Sequence, residues 1–322
     1  MRIAIMGAGA MGSLFGGRLA NTGRHDVWLV DPWAEHVAVI RERGLELIGL
    51  DGRVERIRVK AATDVAEVAE EGPVEVAFIF VKSYATRRAA RQTRRVLADG
   101  GLALTLQNGL GNREVLAEIL GERRVVQGVT SHGATVLGPG RVRHAGAGAT
   151  QLAAPFPELR SRVAAIAGLL SDAGIETHLV DDLQALIWGK LVVNVGINPL
   201  TAILRVHNGV LAEDETCRRL VVKAVEEAVA VARALGITLP YDDPVAHVLH
   251  VARATGANRS SMLVDVLRGT PTEIEAINGA VVREGARHGV PTPFNAALVE
   301  LVKALESTAD ERIWEPREMY AA

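Results

Sequence analysis

A short apolar run at the N-terminus leads directly into three spaced glycines. Residues 2–6 are apolar after Arg2, and residues 7–12 read Gly-Ala-Gly-Ala-Met-Gly. Residues 13–20 then predict a helix, and residues 26–31 predict a second strand. A strand, a glycine turn, a helix and a strand within about 30 residues predict a βαβ unit. This unit commits the start of the chain to an α/β domain with a parallel sheet.

Each glycine of the turn has its own expected role in binding a dinucleotide. Gly7 permits a tight turn, Gly9 lets the backbone approach a pyrophosphate, and Gly12 lets the helix pack closely on the strand. The helix N-terminus attracts phosphate through its free N–H groups. We therefore predict a Rossmann-type domain; the alternative is a turn with a structural role only. The predicted cofactor-binding residues here are Gly7, Ala8, Gly9, Ala10, Met11 and Gly12.

The second predicted strand ends in a carboxylate, Asp31. Such a carboxylate accepts hydrogen bonds from the adenosine ribose and repels a 2′-phosphate, so Asp31 favours NAD(H) over NADP(H). Pro32 and Trp33 follow and supply no cation. Arg41 and Arg43 fall on the next predicted helix, and a remote arginine could still reach a 2′-phosphate. The structural alternative is that Asp31 caps this helix.

The composition is that of an ordinary globular protein with a small-molecule partner. The 322 residues are enough for two domains, and 48% of them are hydrophobic. The formal net charge of -2 gives no basic field that would attract nucleic acid or an anionic membrane. The single cysteine, Cys217, excludes an internal disulfide and fits a reducing compartment. The cytoplasm is the simplest such compartment, and we expect a soluble protein because no charge-free apolar run reaches the roughly 18 residues of a membrane-spanning helix.

Two further buried strands are predicted at residues 74–81 and 102–106, and each is followed by polar residues. Lys82 comes directly after the first, and Asn108 follows the second. Because ligands bind at the carboxyl ends of parallel strands, we predict that both side chains touch the cofactor or the substrate. The alternative is a pair of turn residues with solvated head groups.

The remaining patterns of the first half carry no predicted chemistry. Hairpins are predicted across residues 45–59 and about the Gly-Pro-Gly turn at residues 138–140. His132 and His144 flank the second hairpin without metal-ligand spacing, so we interpret them as ordinary polar groups and predict no metal site. The arginine-rich helix at residues 87–95 fits a solvated face better than a nucleic-acid site, because the total charge is acidic and no aromatic residues are interleaved.

Strand patterns stop after about residue 182, which predicts two domains at residues 1–182 and 183–322, the second all-α. Asp181 and Asp182 are a plausible N-cap pair for its first helix. In that helix a spacing of four places three polar side chains on one face of an otherwise apolar segment. We expect more than a solvated face here, because the apolar neighbours of the stripe should be buried. The three residues are Lys190, Asn194 and Asn198.

Three further helical features are predicted in this half. Pro199 ends or kinks the helix of Lys190 and leaves Asn198 at a break. A long helix follows at residues 210–235. By spacing alone, Thr270, Pro271 and Glu273 form a capping box, and Asn258 and Ser261 are plain helix caps. The chain end is expected to dock through Ile313 and Trp314.

Five motifs in this order resemble the ketopantoate reductases (2-dehydropantoate 2-reductases), and the resemblance covers nearly the whole chain. The motifs occupy residues 7–12, 81–84, 107–109, 188–201 and 258–278. The resemblance implies the reduction of 2-dehydropantoate to pantoate with NAD(P)H, in pantothenate and coenzyme A synthesis. By analogy with the family, it also implies a homodimer.

The resemblance assigns roles to the polar residues of the second half. Lys190 corresponds to the catalytic lysine, which polarises the C2 carbonyl and supplies the proton as the hydride arrives. Glu273 resembles the family's active-site glutamate, and this role replaces the capping role that spacing alone favours. The substrate-binding set corresponds to Asn194, Asn198, Asn258 and Ser261, while Lys82 and Asn108 match positions near the nicotinamide and its ribose.

This chain departs from the family pattern at one place. Typical members prefer NADPH and carry a basic residue near the end of the second strand, where this chain has Asp31, Pro32 and Trp33. The departure leaves open an NAD-linked reductase or dehydrogenase of another branched 2-oxo or 2-hydroxy acid. A non-catalytic NAD(P)-sensing protein is a third hypothesis, which the presence of Lys190 and Glu273 disfavours.

Overall fold

The computed structural model describes residues 1–311 and divides the chain into two compact units, Met1–Ile187 and Trp188 onward. The first unit is an α/β domain and the second is helical, as the sequence predicts. The predicted domain boundary after residue 182 lies close to this division, just before the first helix of the second half. The predicted docking of Ile313 and Trp314 lies outside the described residues.

The first unit contains twelve strands among the described residues. In chain order they are β1 (Arg2–Met6), β2 (Asp26–Val30), β3 (Leu45–Ile48), β4 (Val54–Ile57), β5 (Lys60–Ala62), β6 (Val74–Ile79), β7 (Leu97–Thr105), β8 (Val125–Thr130), β9 (Gly133–Gly138), β10 (Arg141–Gly146), β11 (Thr150–Ala153) and β12 (Thr177–Val180). Its helices are α1 (Ala10–Asn21), α2 (Ala34–Arg43), α3 (Val65–Glu70), α4 (Thr86–Val96), α5 (Asn112–Leu120) and α6 (Arg160–Asp172).

Eight strands form the main sheet, in the order β12-β11-β8-β7-β6-β1-β2-β5. All neighbours are parallel except β11, which runs antiparallel to β8. The chain leaves β1 towards β2 on one side and later returns to β6 on the other, so β1 lies at the switch point of the sheet. In open α/β sheets the ligand binds outside the strand ends at this point.

Burial explains why β1 is apolar from Ile3 to Met6. Ile3 and Ile5 belong to one hydrophobic cluster, whereas Ala4 and Met6 belong to another. Successive side chains of a strand point to opposite faces, so each face of β1 is covered by its own layer. A strand of a parallel sheet that is covered on both sides has this continuous apolar pattern.

Both predicted hairpins are present, and they combine into a second sheet. β3 pairs with β4, and β9 pairs with β10, in antiparallel register. β10 also runs parallel to β3, which gives a four-stranded sheet in the order β4-β3-β10-β9. The turn between β9 and β10 lies at Gly140, whose φ of +67° favours glycine.

The helical unit begins within α7 (Gln184–Leu204), whose first turn belongs to the first unit. The other helices are α8 (Val210–Glu213), α9 (Glu215–Ala234), α10 (Pro244–Ala254), α11 (Ser261–Leu267), α12 (Asn278–His288) and α13 (Pro293–Ser307). The prediction of one long helix over residues 210–235 is wrong. Asp214 has an extended backbone, and its side chain accepts the N–H of Cys217 as the N-cap of α9, so two helices meet at this residue.

Of the two alternatives predicted at Pro199, an end or a kink, the end is wrong, because the helix continues through Pro199 to Leu204. Proline lacks the N–H that would bond to the carbonyl of Val195, four residues earlier. The side chain of Asn278 replaces this donor, since its Nδ2 lies 3.3 Å from the Val195 oxygen. A helix tolerates an internal proline better when another group satisfies the freed carbonyl.

α7 is the one described helix that is long and apolar enough to cross a membrane by length and composition. In this fold, 72% of its most apolar window is buried inside the protein. The core helix of a globular protein meets the same criteria, so this helix is weak evidence for a membrane span.

Candidate active site

The glycine turn after β1 has the geometry that its predicted roles require. Gly7 has a φ of +96°, and an added Cβ would lie 2.7 Å from the backbone nitrogen of Val81, at the end of β6. A Cβ on Gly12 would collide with the carbonyl oxygen of Gly7. A Cβ on Gly9 would meet nothing within 4 Å. The turn is therefore tight at Gly7, closely packed at Gly12 and open at Gly9.

The N-terminus of α1 is suited to an anionic group. Its N-cap is Gly9, which has no side chain to accept the first N–H groups, and the first turn contains no acidic residue. Ser13 turns away from these groups and donates from its Oγ to the carbonyl of Ala8 over 2.7 Å. Ala10 and Met11 are partly exposed beside Gly9. A pyrophosphate fits this place because the helix end offers unpaired donors and positive potential.

Asp31 ties the glycine turn to the segment after β2. Its Oδ2 accepts the N–H of Ala8 over 2.8 Å, and its Oδ1 accepts the N–H of Trp33 over 3.0 Å. Trp33 is the N-cap residue of α2, so Asp31 stabilises the turn ahead of that helix without being its N-cap. The contact with Ala8 places the carboxylate beside the turn that is expected to bind the phosphates.

The two arginines of α2 are engaged with other groups. Arg41 donates from its Nε to the carbonyl of Ala61 over 2.7 Å and forms an ion pair with Glu67. Arg43 lies 3.5 Å from the carboxylate of Glu42. These contacts weaken the alternative in which a remote arginine holds a 2′-phosphate.

Lys82 and Asn108 follow adjacent strands, and both are half-buried. Gln107 joins the two strand ends, because its Nε2 donates to the carbonyl of Val81 over 2.6 Å and to Thr86 Oγ1 over 2.9 Å. This role of Gln107 was not predicted from the sequence. The available signal was its position directly after a buried strand, where a polar side chain can bridge to the neighbouring strand end.

In the second unit, α7 carries the predicted polar stripe. Lys190 and Asn194 are half-buried, and Asn198 is 6% exposed. The Nδ2 of Asn194 is buried and has no hydrogen-bond partner in the described part of the chain. A buried amide donor costs free energy unless it is paired, so Asn194 is suited to bind an oxygen of a ligand. Of the predicted N-cap pair, Asp182 accepts the N–H of Gln184 over 2.8 Å from two residues ahead of it, whereas Asp181 pairs with Arg160.

Lys190 has an unusual acidity. Burial lowers the pKa of its ammonium from 10.5 to about 8, and the negative charge of Glu273 opposes this shift. Desolvation disfavours a charged amine, whereas a nearby carboxylate favours it. Near neutral pH the amine therefore remains protonated and holds its proton less tightly than a solvated lysine does. A positioned group of this kind can serve as a general acid.

The predicted capping box at Thr270, Pro271 and Glu273 is wrong as a helix start. Residues 270–273 are not helical, residues 274–277 form a turn, and α12 begins at Asn278. The segment is instead bonded to α13, where Glu306 accepts the N–H of Thr272 over 2.7 Å. Glu273 is only 8% exposed, and its charge acts on Lys190.

The helix-cap alternative for Asn258 and Ser261 is also wrong. The N-cap of α11 is Ser260, whose Oγ accepts the N–H of Leu263 over 3.1 Å. The Oγ atoms of Ser260 and Thr201 are 2.7 Å apart, which links α11 to α7. Asn258 and Ser261 are exposed on either side of this anchor, so their side chains are accessible to a ligand.

The two histidines that flank the second hairpin contact each other. His132 Nδ1 and His144 Nε2 are 3.0 Å apart, and burial lowers the pKa of both side chains. No cluster of three or more potential metal ligands occurs within residues 1–311. His132 directly precedes β9 and His144 lies in β10, so the pair joins the two flanks of the hairpin.

Two family models match this chain. Residues 3–155 match the model described as "Ketopantoate reductase PanE/ApbA", and residues 182–306 match the model of its C-terminal part. Among curated proteins, the 2-dehydropantoate 2-reductase of Halobacterium salinarum is 40% identical over 303 residues, which cover 94% of this chain and 98% of the relative. That of Archaeoglobus fulgidus is 36% identical over 306 residues, with coverages of 95% and 98%.

Solved structures show the same fold. A ketopantoate reductase of the PanE/ApbA family from Ralstonia eutropha is 34% identical, with a TM-score of 0.88 and coverage of 96% of this chain and 100% of that one. A D-mandelate dehydrogenase in a ternary structure with NADH and anilino(oxo)acetate is 30% identical, also with a TM-score of 0.88, and the coverages are 96% and 99%.

Proposed function

Because the chain belongs to the ketopantoate reductase family, we propose that this oxidoreductase reduces 2-dehydropantoate (ketopantoate) to pantoate with NAD(P)H. The observation that carries the proposal is the half-buried Lys190, whose pKa is lowered to about 8 by desolvation although the charge of Glu273 opposes the shift. Reduction of a 2-oxo acid needs a proton donor and a cation at the developing alkoxide. Lys190 meets both needs.

The proposed reaction adds a hydride and a proton across the C2 carbonyl. When bound, the reduced nicotinamide supplies the hydride to carbon. The Lys190 ammonium polarises the carbonyl, stabilises negative charge on its oxygen and transfers a proton to that oxygen. The amine is then neutral and regains a proton from solvent before the next turnover.

The other polar residues of the second unit are proposed to hold the substrate. The unpartnered Nδ2 of Asn194 supports a role as a donor to a substrate oxygen. Glu273 is proposed to accept from the substrate hydroxyl and to hold Lys190 in its protonated form. Asn198, Asn258 and Ser261 complete the set, although Asn198 is buried in the continuous helix while the other two are exposed.

The cofactor is proposed to bind through the first unit. The open side of Gly9 and the uncapped start of α1 support a pyrophosphate site, which Gly7, Ala8, Ala10, Met11 and Gly12 complete. Lys82 and Asn108 are proposed to lie near the nicotinamide and its ribose. Asp31 favours NAD(H), whereas NADP(H) is the norm for the family. The paired state of Arg41 supports NAD(H) as well.

A second candidate function is the NAD-linked reduction or oxidation of another branched 2-oxo or 2-hydroxy acid. The D-mandelate dehydrogenase structure, determined with NADH, matches this chain as well in fold as the ketopantoate reductase from Ralstonia eutropha. Asp31 also supports this candidate, because its carboxylate disfavours the 2′-phosphate of NADP(H).

A panel of 2-oxo acids tested with each cofactor decides between the two candidates. Oxidation of NADH or NADPH is followed at 340 nm with ketopantoate, phenylglyoxylate and 2-oxoisovalerate as substrates. We expect the highest kcat/KM with ketopantoate. A higher value with another 2-oxo acid supports the second candidate, and no turnover with any of them removes both.

The substitution Asp31→Ser tests the cofactor preference. Serine cannot repel a 2′-phosphate, so the ratio of kcat/KM for NADH to that for NADPH is expected to fall about tenfold. Asp26→Ser provides a control, because Asp26 is an acidic residue of the same strand that pairs with Arg2 and Lys60. An unchanged ratio in Asp31→Ser would show that Asp31 serves only to hold the turn.

The two halves of the chain are proposed to have separate tasks. We propose that residues 1–182 form the cofactor-binding domain and that residues 183–322 bind the substrate and form the contacts of a homodimer. A cytoplasmic location fits the single cysteine, because a reducing compartment does not support structural disulfides.

A further inference from the structure

An exposed tryptophan lies beside the proposed ribose-binding carboxylate. Trp33 follows Asp31 by two residues and is 38% exposed, which makes it one of the large hydrophobic side chains at the surface. Its ring stacks on that of His36, with centroids 4.9 Å apart and an angle of 12° between the planes. One side of the indole is therefore supported by the protein while much of its surface remains accessible.

His36 is a rigid base for this indole, because it is fully buried and bonded on both nitrogens. Its Nδ1 accepts the N–H of Gly140 over 3.0 Å, so this nitrogen carries no proton. Nε2 then carries the proton of the neutral ring and lies 3.3 Å from Ser13 Oγ. Burial lowers the pKa of His36, in agreement with a neutral ring. Ser13 in turn donates to Ala8 in the glycine turn.

The backbone of Trp33 is tied to the same turn. Asp31 accepts the N–H of Trp33 with one carboxylate oxygen and the N–H of Ala8 with the other. Trp33 is thus connected to the glycine turn twice. Its backbone is connected through Asp31, and its ring is connected through His36 and Ser13. A side chain held in this way loses little conformational freedom when a ligand binds to it.

The position of the indole beside Asp31 indicates which part of a dinucleotide it would contact. In a Rossmann-type site the carboxylate after β2 marks the adenosine ribose, and the adenine is bonded to that ribose. Nucleobases stack on aromatic side chains because every base has a π-face. The neighbouring residues offer no competing cation, since Pro32 is apolar and Arg41 pairs with Glu67.

We propose that Trp33, supported by His36, is the platform on which the adenine of the dinucleotide stacks. The proposal rests on the proposed function, because it requires a dinucleotide cofactor. It makes Trp33 a residue that binds the adenosine half of the cofactor and takes no part in the hydride step. Its loss therefore affects ligands that contain adenine and spares those that lack it.

Binding measurements with whole and truncated cofactors test this platform. Dissociation constants of NADH and of reduced nicotinamide mononucleotide, which lacks the adenosine, are measured for the wild-type chain and Trp33→Ala by the fluorescence of the reduced nicotinamide. We expect Trp33→Ala to weaken NADH binding about tenfold and to leave the mononucleotide unchanged. Trp33→Phe should recover most of the affinity because it keeps an aromatic face.

Leu137→Ala is the matched control, because Leu137 is a large apolar residue of the same unit that is 39% exposed. It should change neither constant. Unchanged NADH binding in Trp33→Ala, or equal weakening of both ligands, would overturn the platform. Ketopantoate turnover by the wild-type chain is measured in parallel, so that a failure of the platform is distinguished from a failure of the proposed reaction. A wild-type chain that binds neither NADH nor NADPH overturns both.

Discussion

At the scale of single residues, two opposing effects on the pKa of Lys190 decide whether its amine can act as a general acid. Burial pushes the pKa of this amine down to about 8, and Glu273 pushes it up. Without the carboxylate, desolvation would lower the pKa further and leave less of the protonated form at neutral pH. Glu273 thus supports catalysis through the protonation state of Lys190 as well as through its proposed contact with the substrate.

This balance predicts the pH dependence of the reaction. The protonated lysine is the active form, so kcat/KM for ketopantoate reduction should be constant at low pH and fall as the pH rises through about 8. In Glu273→Gln the charge that raises the pKa is gone, so the midpoint should move to lower pH. The measurement is a profile of kcat/KM across this range with saturating cofactor.

Glu275→Gln is the control for this profile. Glu275 is a nearby glutamate, half-exposed and paired with Arg283 and Lys303, and the charge acting on Lys190 comes from Glu273. The control should keep the wild-type midpoint. A Glu273→Gln profile with the same midpoint as the wild type would contradict the electrostatic role of Glu273.

Residue roles were predictable from the sequence where they follow from local spacing. The stripe of Lys190, Asn194 and Asn198 needs only the helical repeat, and that helix is present. Glu273 shows the limit, because its spacing from Thr270 is that of a capping box and only the family resemblance indicated chemistry. The stacking of Trp33 on His36 depends on Gly140, more than a hundred residues away, and no local pattern reveals such a contact.

At the scale of elements, α7 depends on a side chain from another helix. Asn278, the first residue of α12, donates to the Val195 carbonyl that Pro199 leaves free, and it also donates to Asn295 Oδ1 over 2.9 Å. Asn295 is held by Glu227 of α9, whose Oε2 lies 2.7 Å from the Asn295 Nδ2. This buried network keeps the helix of Lys190 continuous beyond the proline.

A double-mutant cycle tests this role of Asn278. Asn278→Ala removes the donor from Val195 and should lower the free energy of unfolding by about 1–3 kcal/mol, since it leaves buried acceptors unpaired. In Pro199→Ala, the new backbone N–H can bond to Val195 itself. The double variant should therefore lose less stability than the sum of the single changes, as measured by urea unfolding.

Strict additivity would contradict the account of α7, because it would mean that Asn278 and Pro199 do not act on the same carbonyl. The local rule predicts that the helix ends or kinks at this proline. The helix does not end there, because a compensating donor lies about eighty residues further along the chain.

At the scale of the whole molecule, the α/β unit and the helical unit were both predictable. Strands and helices have different hydrophobic periods, and the strand pattern stops at one place along the chain. The joining of the two hairpins into one sheet was not, since the pairing of β3 with β10 links residues almost a hundred positions apart. The antiparallel strand β11 was missed for a related reason: it is four residues long and its pattern does not distinguish it from a loop.

The division into two units also predicts that cofactor binding and proton donation can be separated by substitution. The glycine turn and Asp31 belong to the first unit, whereas Lys190 and Glu273 belong to the second. A substitution of Lys190 or Glu273 should therefore leave the dissociation constant of NADH close to that of the wild type.

The most direct test is the rate of ketopantoate reduction by Lys190→Ala, measured together with its affinity for NADH. Lys303→Ala, which removes a lysine of the same unit that is 48% exposed, is the control. We predict that Lys190→Ala lowers kcat about 10³-fold while NADH binding and the control remain unchanged. Turnover of Lys190→Ala at the wild-type rate would contradict the assignment of Lys190 as the proton donor.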